Sequence, residues 1–276
     1  MTARTIIVTG GAGGIGQALV RAFVAASHQV GICDINAEAV LRLERELGET
    51  RALGQVIDVA DPTSCAQAVE RVARRFGTVH AVINNAALGM VLVRRDHFLG
   101  NVRVEDITPD LWQRFIAVNL SGAFFMAKAA MPFFRAQHFG RVINVTTSFF
   151  TMLRGGFSPY GPAKAGLEAW TASLAAELRG TGITANVVVP GGPADTPMVP
   201  TDSFPDRAAL IPPEQMAPPM LYLLSDEAAE VTGQRFVAAH WDPTWPIAEA
   251  AAHAGAPAAW PDLAQSPVWP GGKPAS

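Results

Sequence analysis

The stretch TGGAGGIG, residues 9–16, stands between a run of β-branched residues (RTIIVTG, 4–10) and an amphipathic pattern over 15–27. Glycines at such a junction let the backbone take positive φ and let a ligand approach the main chain. The helix that follows offers unpaired N–H groups and the positive end of its dipole. The next apolar run, QVGICD (29–34), ends on Asp34, where a carboxylate can accept hydrogen bonds from an adenosine ribose. Strand, glycine turn, helix and second strand together predict a βαβ unit built to hold a dinucleotide.

The alternation continues along the chain. Helical patterns over 37–47 and 62–75 separate GQVIDV (54–59) and HAVINNA (80–86), and RVINVTT (141–147) and ITANVVVP (183–190) are further apolar runs. Runs apolar on both faces suit strands covered by helices on each side. The order predicts an α/β fold: a Rossmann-type, doubly wound parallel sheet in a single domain over residues 1–242. From 243 to 276 the composition shifts to Pro, Ala and Trp. Proline breaks helices, so this C-terminal extension is expected to lie on a surface. Its tryptophans, Trp245, Trp260 and Trp269, are expected to dock it on its own subunit or on a neighbour.

Charge and composition bound the partners. A net charge of −3 with no basic run argues against nucleic acid. Cys33 and Cys65 form neither a disulfide framework nor a metal spacing, so no metal is expected, and Cys33 reads as core. The N-terminus enters a strand at once, and no later apolar run reads as long enough to span a membrane. A soluble, cytoplasmic protein with a small-molecule partner is the expectation. No Arg or Lys lies in the glycine turn or directly after Asp34. A 2′-phosphate would meet the Asp34 carboxylate with no nearby cation, so NAD is expected over NADP.

Tyr160, one of two tyrosines in the chain, precedes Lys164 by four residues in SPYGPAKAG (158–166). Residues i and i+4 share a helix face. A phenol with a pKa of about 10 is a poor base at neutral pH, and a nearby ammonium favours the phenolate. The pair therefore reads as a general acid/base. Pro162 between them suits the first position of a helix.

Gly10, Gly14 and Gly16, then Asp58-Val59, Asn84-Asn85-Ala86-Ala87, Asn119 and Tyr160-x-x-x-Lys164, resemble the short-chain dehydrogenase/reductase family over roughly residues 4 to 240. The resemblance implies a cofactor site formed by Gly10, Gly14, Ile15, Gly16 and Asp34. Asp58 and Val59 would line the adenine, Asn85 and Ala86 the nicotinamide side, Pro190 and Gly191 the nicotinamide itself, and Thr196 its carboxamide. It implies that Lys164 also holds the nicotinamide ribose. It implies that Asn119 binds a water linking Lys164 to a proton relay, the role favoured here; on the residues alone, a polar amide inside an apolar helical pattern is often just a satisfied core residue. The family's catalytic hydroxyl falls on Thr147, with Ser148 as the alternative.

The stretch LGMVLVRRDHFLGNVRVED (88–106) reads as an insertion at a strand's carboxyl end, where ligands bind in such sheets. Arg94, Arg95 and His97 are either a solvated loop or the anion-binding part of a substrate pocket. Apolar residues near the mouth, among them Met90, Phe150, Met152 and Phe157, favour a partly hydrophobic substrate. The expected activity is hydride transfer between a secondary alcohol or ketone and nicotinamide. The alternative is a non-catalytic, dinucleotide-binding redox sensor. The family resemblance implies a homodimer or homotetramer, with FFMAKAAMPFF (124–134) as a candidate seam.

Overall fold

Strands rich in Val and Ile with no polar face must be covered on both sides, and the computed structural model covers them so. It describes residues 2–100 and 102–264. Strands β1 (Thr5–Thr9), β2 (Gln29–Asp34), β3 (Ala52–Val56), β4 (Ala81–Asn84), β5 (Gly140–Val145), β6 (Ile183–Val189) and β7 (Gln234–Val237) run parallel, and β8 (Gly255–Pro257) runs antiparallel to β7. Among the described residues the order across the sheet is β3-β2-β1-β4-β5-β6-β7-β8. The order reverses between β1 and β4, which opens a crevice at the strands' carboxyl ends.

Helices α1 (Gly14–Ala25), α2 (Ala37–Leu47), α3 (Pro62–Phe76), α4 (Pro109–Ile116), α5 (Gly122–Ala136), α6 (Phe149–Leu153), α7 (Tyr160–Glu177), α8 (Ala217–Leu224) and α9 (Ile247–Ala254) complete the architecture. One apolar layer joins Leu19 and Phe23 of α1 and Met220 and Leu223 of α8 to Ile6, Val8 and Ile143. The other joins Val69 and Val72 of α3 and Met126, Ala130 and Phe134 of α5 to Ile7, Val82 and Val142. Helix starts are set by caps: Asp61 accepts from the Thr63 N–H and Thr108 from the Leu111 N–H, each followed by proline at the first helical position.

Several boundaries depart from the sequence reading, each for a physical reason. The strand expected over 54–59 ends at Val56, because Asp58 accepts from the Ala60 N–H and turns the chain towards the crevice. Tyr160 itself opens α7, which puts Pro162 third; the N–H that proline lacks would still have no partner in that first turn. Residues 109–136 form one helix of 28 residues, interrupted by a π-helical turn at Ala117–Ser121, so one helix is long and apolar enough to cross a membrane. Its apolar side chains Met126, Ala127, Ala130 and Phe134 are buried against the sheet.

The C-terminal extension carries α9 and β8. Ala250 and Ala254 of α9 enter the core, and β8 pairs with β7, whose outer edge would otherwise lack partners. Trp260 stacks on Phe149, ring centroids 5.6 Å apart, and Trp245 packs on His253. Trp269 lies outside the described residues.

Candidate active site

A cavity of about 770 Å³ fills the crevice, lined by the residues that directly follow β1, β2, β4, β5 and β6. At one end lies the glycine turn. Gly10 and Gly14 take φ of +61° and +45°, and a side chain on Gly16 would meet the Gly10 carbonyl oxygen at 1.9 Å. Asn85 fixes this turn by donating to the carbonyls of Thr9 and Gly10 at 3.0 and 3.1 Å. Gly13 caps α1 without a side chain and has open space where one would stand. The result is a bare cradle of main-chain N–H groups at the positive end of a helix, suited to a pyrophosphate.

Asp34 is placed beside the cradle by two backbone donors, Ala12 at 3.1 Å and Asn36 at 3.0 Å. Asp58, Val59, Ile15 and Ala86 line the same end. Pro190 and Gly191 line the cavity after β6; Gly191 has φ +104° and touches Val237 and Ala239 so closely that a side chain would collide. Thr196 lines it too, its methyl set against Gly14. The glycine cradle, ribose-facing carboxylate and apolar walls fit a nicotinamide dinucleotide.

At the other end Tyr160, Thr147 and Lys164 share one wall. Tyr160 is held by the start of α7, where Gly161 lets that helix approach the Met152 carbonyl. The Thr147 side chain is the polar neighbour of the Tyr160 hydroxyl. Burial pushes the phenol up to about 12, a shift the nearby Thr147 side chain opposes. Lys164 is 1% exposed, donates to the Val145 carbonyl at 2.7 Å and lies 6.0 Å from the centre of the Tyr160 ring. Burial lowers its pKa to about 7. Lys164 is thus held at the edge of ionisation.

The two adjacent hydroxyls differ in their engagements. Ser148 lines the cavity, but its oxygen accepts from the Thr151 N–H at 3.1 Å and caps α6. Thr147 is the one that meets Tyr160. Asn119, expected to hold a relay water, has its side-chain amide engaged by the main chain. It is 1% exposed in the π-helical turn, accepts from the Leu88 N–H at 2.7 Å and donates to the Leu88 carbonyl at 2.9 Å. Its amide fastens the cavity wall after β4.

Residues 88–106 build a small second core, Met90 and Val102 packing with Phe115 and Phe157. His97 is 5% exposed and lines the cavity, as Phe150 does at its mouth. Arg94 and Arg95 do not line it: Arg94 forks onto Asp96, and Arg95 pairs with Asp202 at 3.0 Å. The arginines of the insertion are therefore spent on carboxylates of the chain itself.

Three residues in or behind this site carry no sequence motif. Arg154 lines the cavity beside Phe157. Glu168 of α7 and Arg235 of β7 form a buried ion pair at 2.8 Å. Thr146 donates to Glu168 at 2.6 Å, and the extension joins through the Ala259 N–H at 3.2 Å. Only the long-range pairing of β5, β6 and β7 brings these residues together.

Comparison with known proteins agrees with this geometry. The family model "short chain dehydrogenase" matches residues 4–204. The chain is similar to the 3-oxoacyl-acyl-carrier-protein reductase of Escherichia coli (strain K12), at 32% identity over 83% of this chain and 92% of the relative. It is similar to a cis-4-hydroxycyclohexanecarboxylate dehydrogenase of Sinomonas cyclohexanicum, at 32% over 83% and 92%, and to a D-beta-hydroxybutyrate dehydrogenase of Rhizobium meliloti (strain 1021), at 28% over 83% and 95%. Among solved structures, a 3-ketoacyl-(acyl-carrier-protein) reductase from Brucella melitensis, complexed with NADH, superposes with a TM-score of 0.71 at 23% identity, covering 83% of this chain and 93% of that one. The chain belongs to the short-chain dehydrogenase/reductase family of oxidoreductases.

Proposed function

We propose that this oxidoreductase uses NAD(H) and interconverts a secondary alcohol and its ketone. The observation that carries the reading is the convergence of Tyr160, Thr147 and Lys164 on one cavity whose far end is the glycine cradle and Asp34. The bound nicotinamide would accept the hydride from the carbinol carbon, or return it. Tyr160 takes the hydroxyl proton in oxidation and gives it back in reduction. Thr147 donates to the same substrate oxygen and so fixes which atom faces the phenol. Lys164 is tethered at Val145; its ammonium form favours the phenolate, and it would hold a ribose hydroxyl of the bound cofactor.

NAD is favoured because two backbone N–H groups hold the Asp34 side chain where a 2′-phosphate would have to face it. Two of the relatives named above are dehydrogenases of hydroxy acids, and a third is a reductase of an oxoacyl group. All three names fit carbinol–carbonyl chemistry. A homo-oligomer built through α5 and α7 belongs to the same reading; Phe124, 43% exposed and packed edge-on against Trp170, would sit in that seam.

The test is a screen of secondary alcohols and ketones with NAD(H) and NADP(H), with Tyr160→Phe run beside the wild type. Turnover that requires NAD(H) and disappears in Tyr160→Phe supports the reading. Tight NADH binding with no turnover across the panel favours a redox sensor instead.

A further inference from the structure

The cations of the cavity differ in what they meet. Arg207 and Arg235 sit near it, and each has a carboxylate, Asp195 and Glu168. Arg154 lines the cavity and is half-buried, yet among the described residues it has no ion pair and no side-chain hydrogen bond. Its guanidinium lies over the Phe157 ring at 4.7 Å and near the Phe150 ring at 5.9 Å. Aromatic neighbours engage the face of a guanidinium and leave its N–H edge directed outwards. That edge is a planar fork of donors matched to a carboxylate.

Nothing else in the cavity answers this charge. Its lining carboxylates are Asp34, the last residue of β2, and Asp58, which follows β3. Arg154 follows β5, and β2 lies three strands away from β5, about 14 Å across the sheet. His97 is the nearby polar ring, placed edge-on to Phe157 at 5.9 Å. Its Nδ1 lies 3.0 Å from the Arg94 carbonyl oxygen, which only accepts, so Nδ1 carries the proton. Burial pushes the pKa of His97 below its usual value, which favours the neutral ring, whose Nε2 then accepts. His97 therefore neither supplies a second cation nor donates to an anion.

The position relative to the chemistry is also set. Phe157 carries the guanidinium on one side and belongs to the apolar cluster against which Tyr160 packs. We propose that Arg154 binds a carboxylate on the substrate, and that the substrates are hydroxy acids and oxo acids whose apolar body lies along Phe157 between that carboxylate and the carbon facing Tyr160. This rests on the oxidoreductase reading above and adds the substrate class to it.

The experiment uses a ladder of probes: hydroxybutanoate, hydroxypentanoate and hydroxyhexanoate, each with its hydroxyl on the penultimate carbon, and the neutral amide of each. Binding in the presence of NADH and turnover with NAD are measured for the full chain and for Arg154→Gln, Arg154→Lys and Arg114→Gln; Arg114 is the other arginine lining the cavity, exposed on α4. For at least one rung the wild type should prefer acid over amide by roughly tenfold to a hundredfold. Arg154→Gln should erase that ratio by weakening the acid alone, and Arg154→Lys should restore part of it. Equal handling of acid and amide on every rung overturns the proposal. So does a loss in Arg154→Gln that falls equally on both, or a ratio erased by Arg114→Gln instead. Acids held by Arg154 without turnover would leave the anion site standing and remove the oxidoreductase reading; turnover confined to neutral alcohols would do the reverse.

Discussion

Arg235 of β7 donates to the backbone carbonyl of Thr147 at 2.8 Å, while another of its nitrogens pairs with Glu168 at 2.8 Å. The hydroxyl proposed above as catalytic is therefore held from behind, by a buried ion pair between α7 and β7. Removing one partner leaves an uncompensated buried charge, which costs about 3–5 kcal/mol. Arg235→Met is expected to lower the melting temperature and reduce kcat, with NADH affinity little changed. Arg235→Lys should recover part of kcat. The double variant Glu168→Gln/Arg235→Met should lose less stability than the sum of its singles, since neither charge is then left alone. A kcat equal to wild type in Arg235→Met would show that the pair supports the fold and not the position of Thr147.

Thr147 and Ser148 are neighbours with separate engagements, and substitution should separate them. Thr147→Val keeps the shape and loses the hydroxyl that meets Tyr160. It is expected to cut kcat by about a hundredfold or more while NADH still binds. Thr147→Ser should retain most turnover. Ser148→Ala removes the cap of α6, a loss of about 1 kcal/mol in local stability, and should affect turnover far less. Steady-state kinetics and NADH titration of the three variants decide it; greater damage from Ser148→Ala would reassign the catalytic hydroxyl.

The charge on Asp34, more than its shape, should set the choice of cofactor. Asp34→Asn keeps an oxygen for one of the two N–H groups, Ala12 or Asn36, turns the other acceptor into a donor, and removes the negative charge. The expected result is a loss of preference for NADH over NADPH by roughly tenfold, read from direct binding of each. An unchanged ratio would place the discrimination elsewhere.

How much of this was legible in the chain depends on the range of the interaction. The glycine turn, Asp34 and the Tyr160–Lys164 pair are local patterns, and their geometry follows from a strand, a turn and one helical face. Boundaries failed where a side chain turned the chain early, as Asp58 does after β3. Arg94 and Arg154 show the limit. Both are arginines in the connections between a strand and the next long helix, but Arg94 has Asp96 two residues away, while Arg154 is set among rings from α6 and the segment before α7. No spacing in the chain distinguishes them. Asn119 was recognised by its motif, yet its partner, Leu88, lies 31 residues away. Glu168 and Arg235 are 67 residues apart, and no periodicity reports a buried pair formed by sheet order.

Lys164 makes the stability of the protein depend on pH in a direction that can be worked out. Burial lowers its pKa to about 7, against about 10.4 for an exposed lysine. Between those values the unfolded chain holds a proton that the folded protein has released. Stability therefore rises with pH across that window and is insensitive to this group below about 7, where both states are protonated. The slope from one such group approaches about 1.4 kcal/mol per pH unit. Buried Cys33, Cys65 and Tyr160, each pushed up to about 12, act in the opposite sense once the pH passes their unfolded values. His80, lowered to about 4, acts only in the acid range. Lys164→Met leaves those contributions in place, so the difference in denaturant stability between wild type and variant isolates the lysine. Measured at pH 7, 8 and 9, that difference should move steadily in favour of the wild type as pH rises. A difference independent of pH would show that Lys164 stays protonated, with its ammonium under Tyr160 throughout that range.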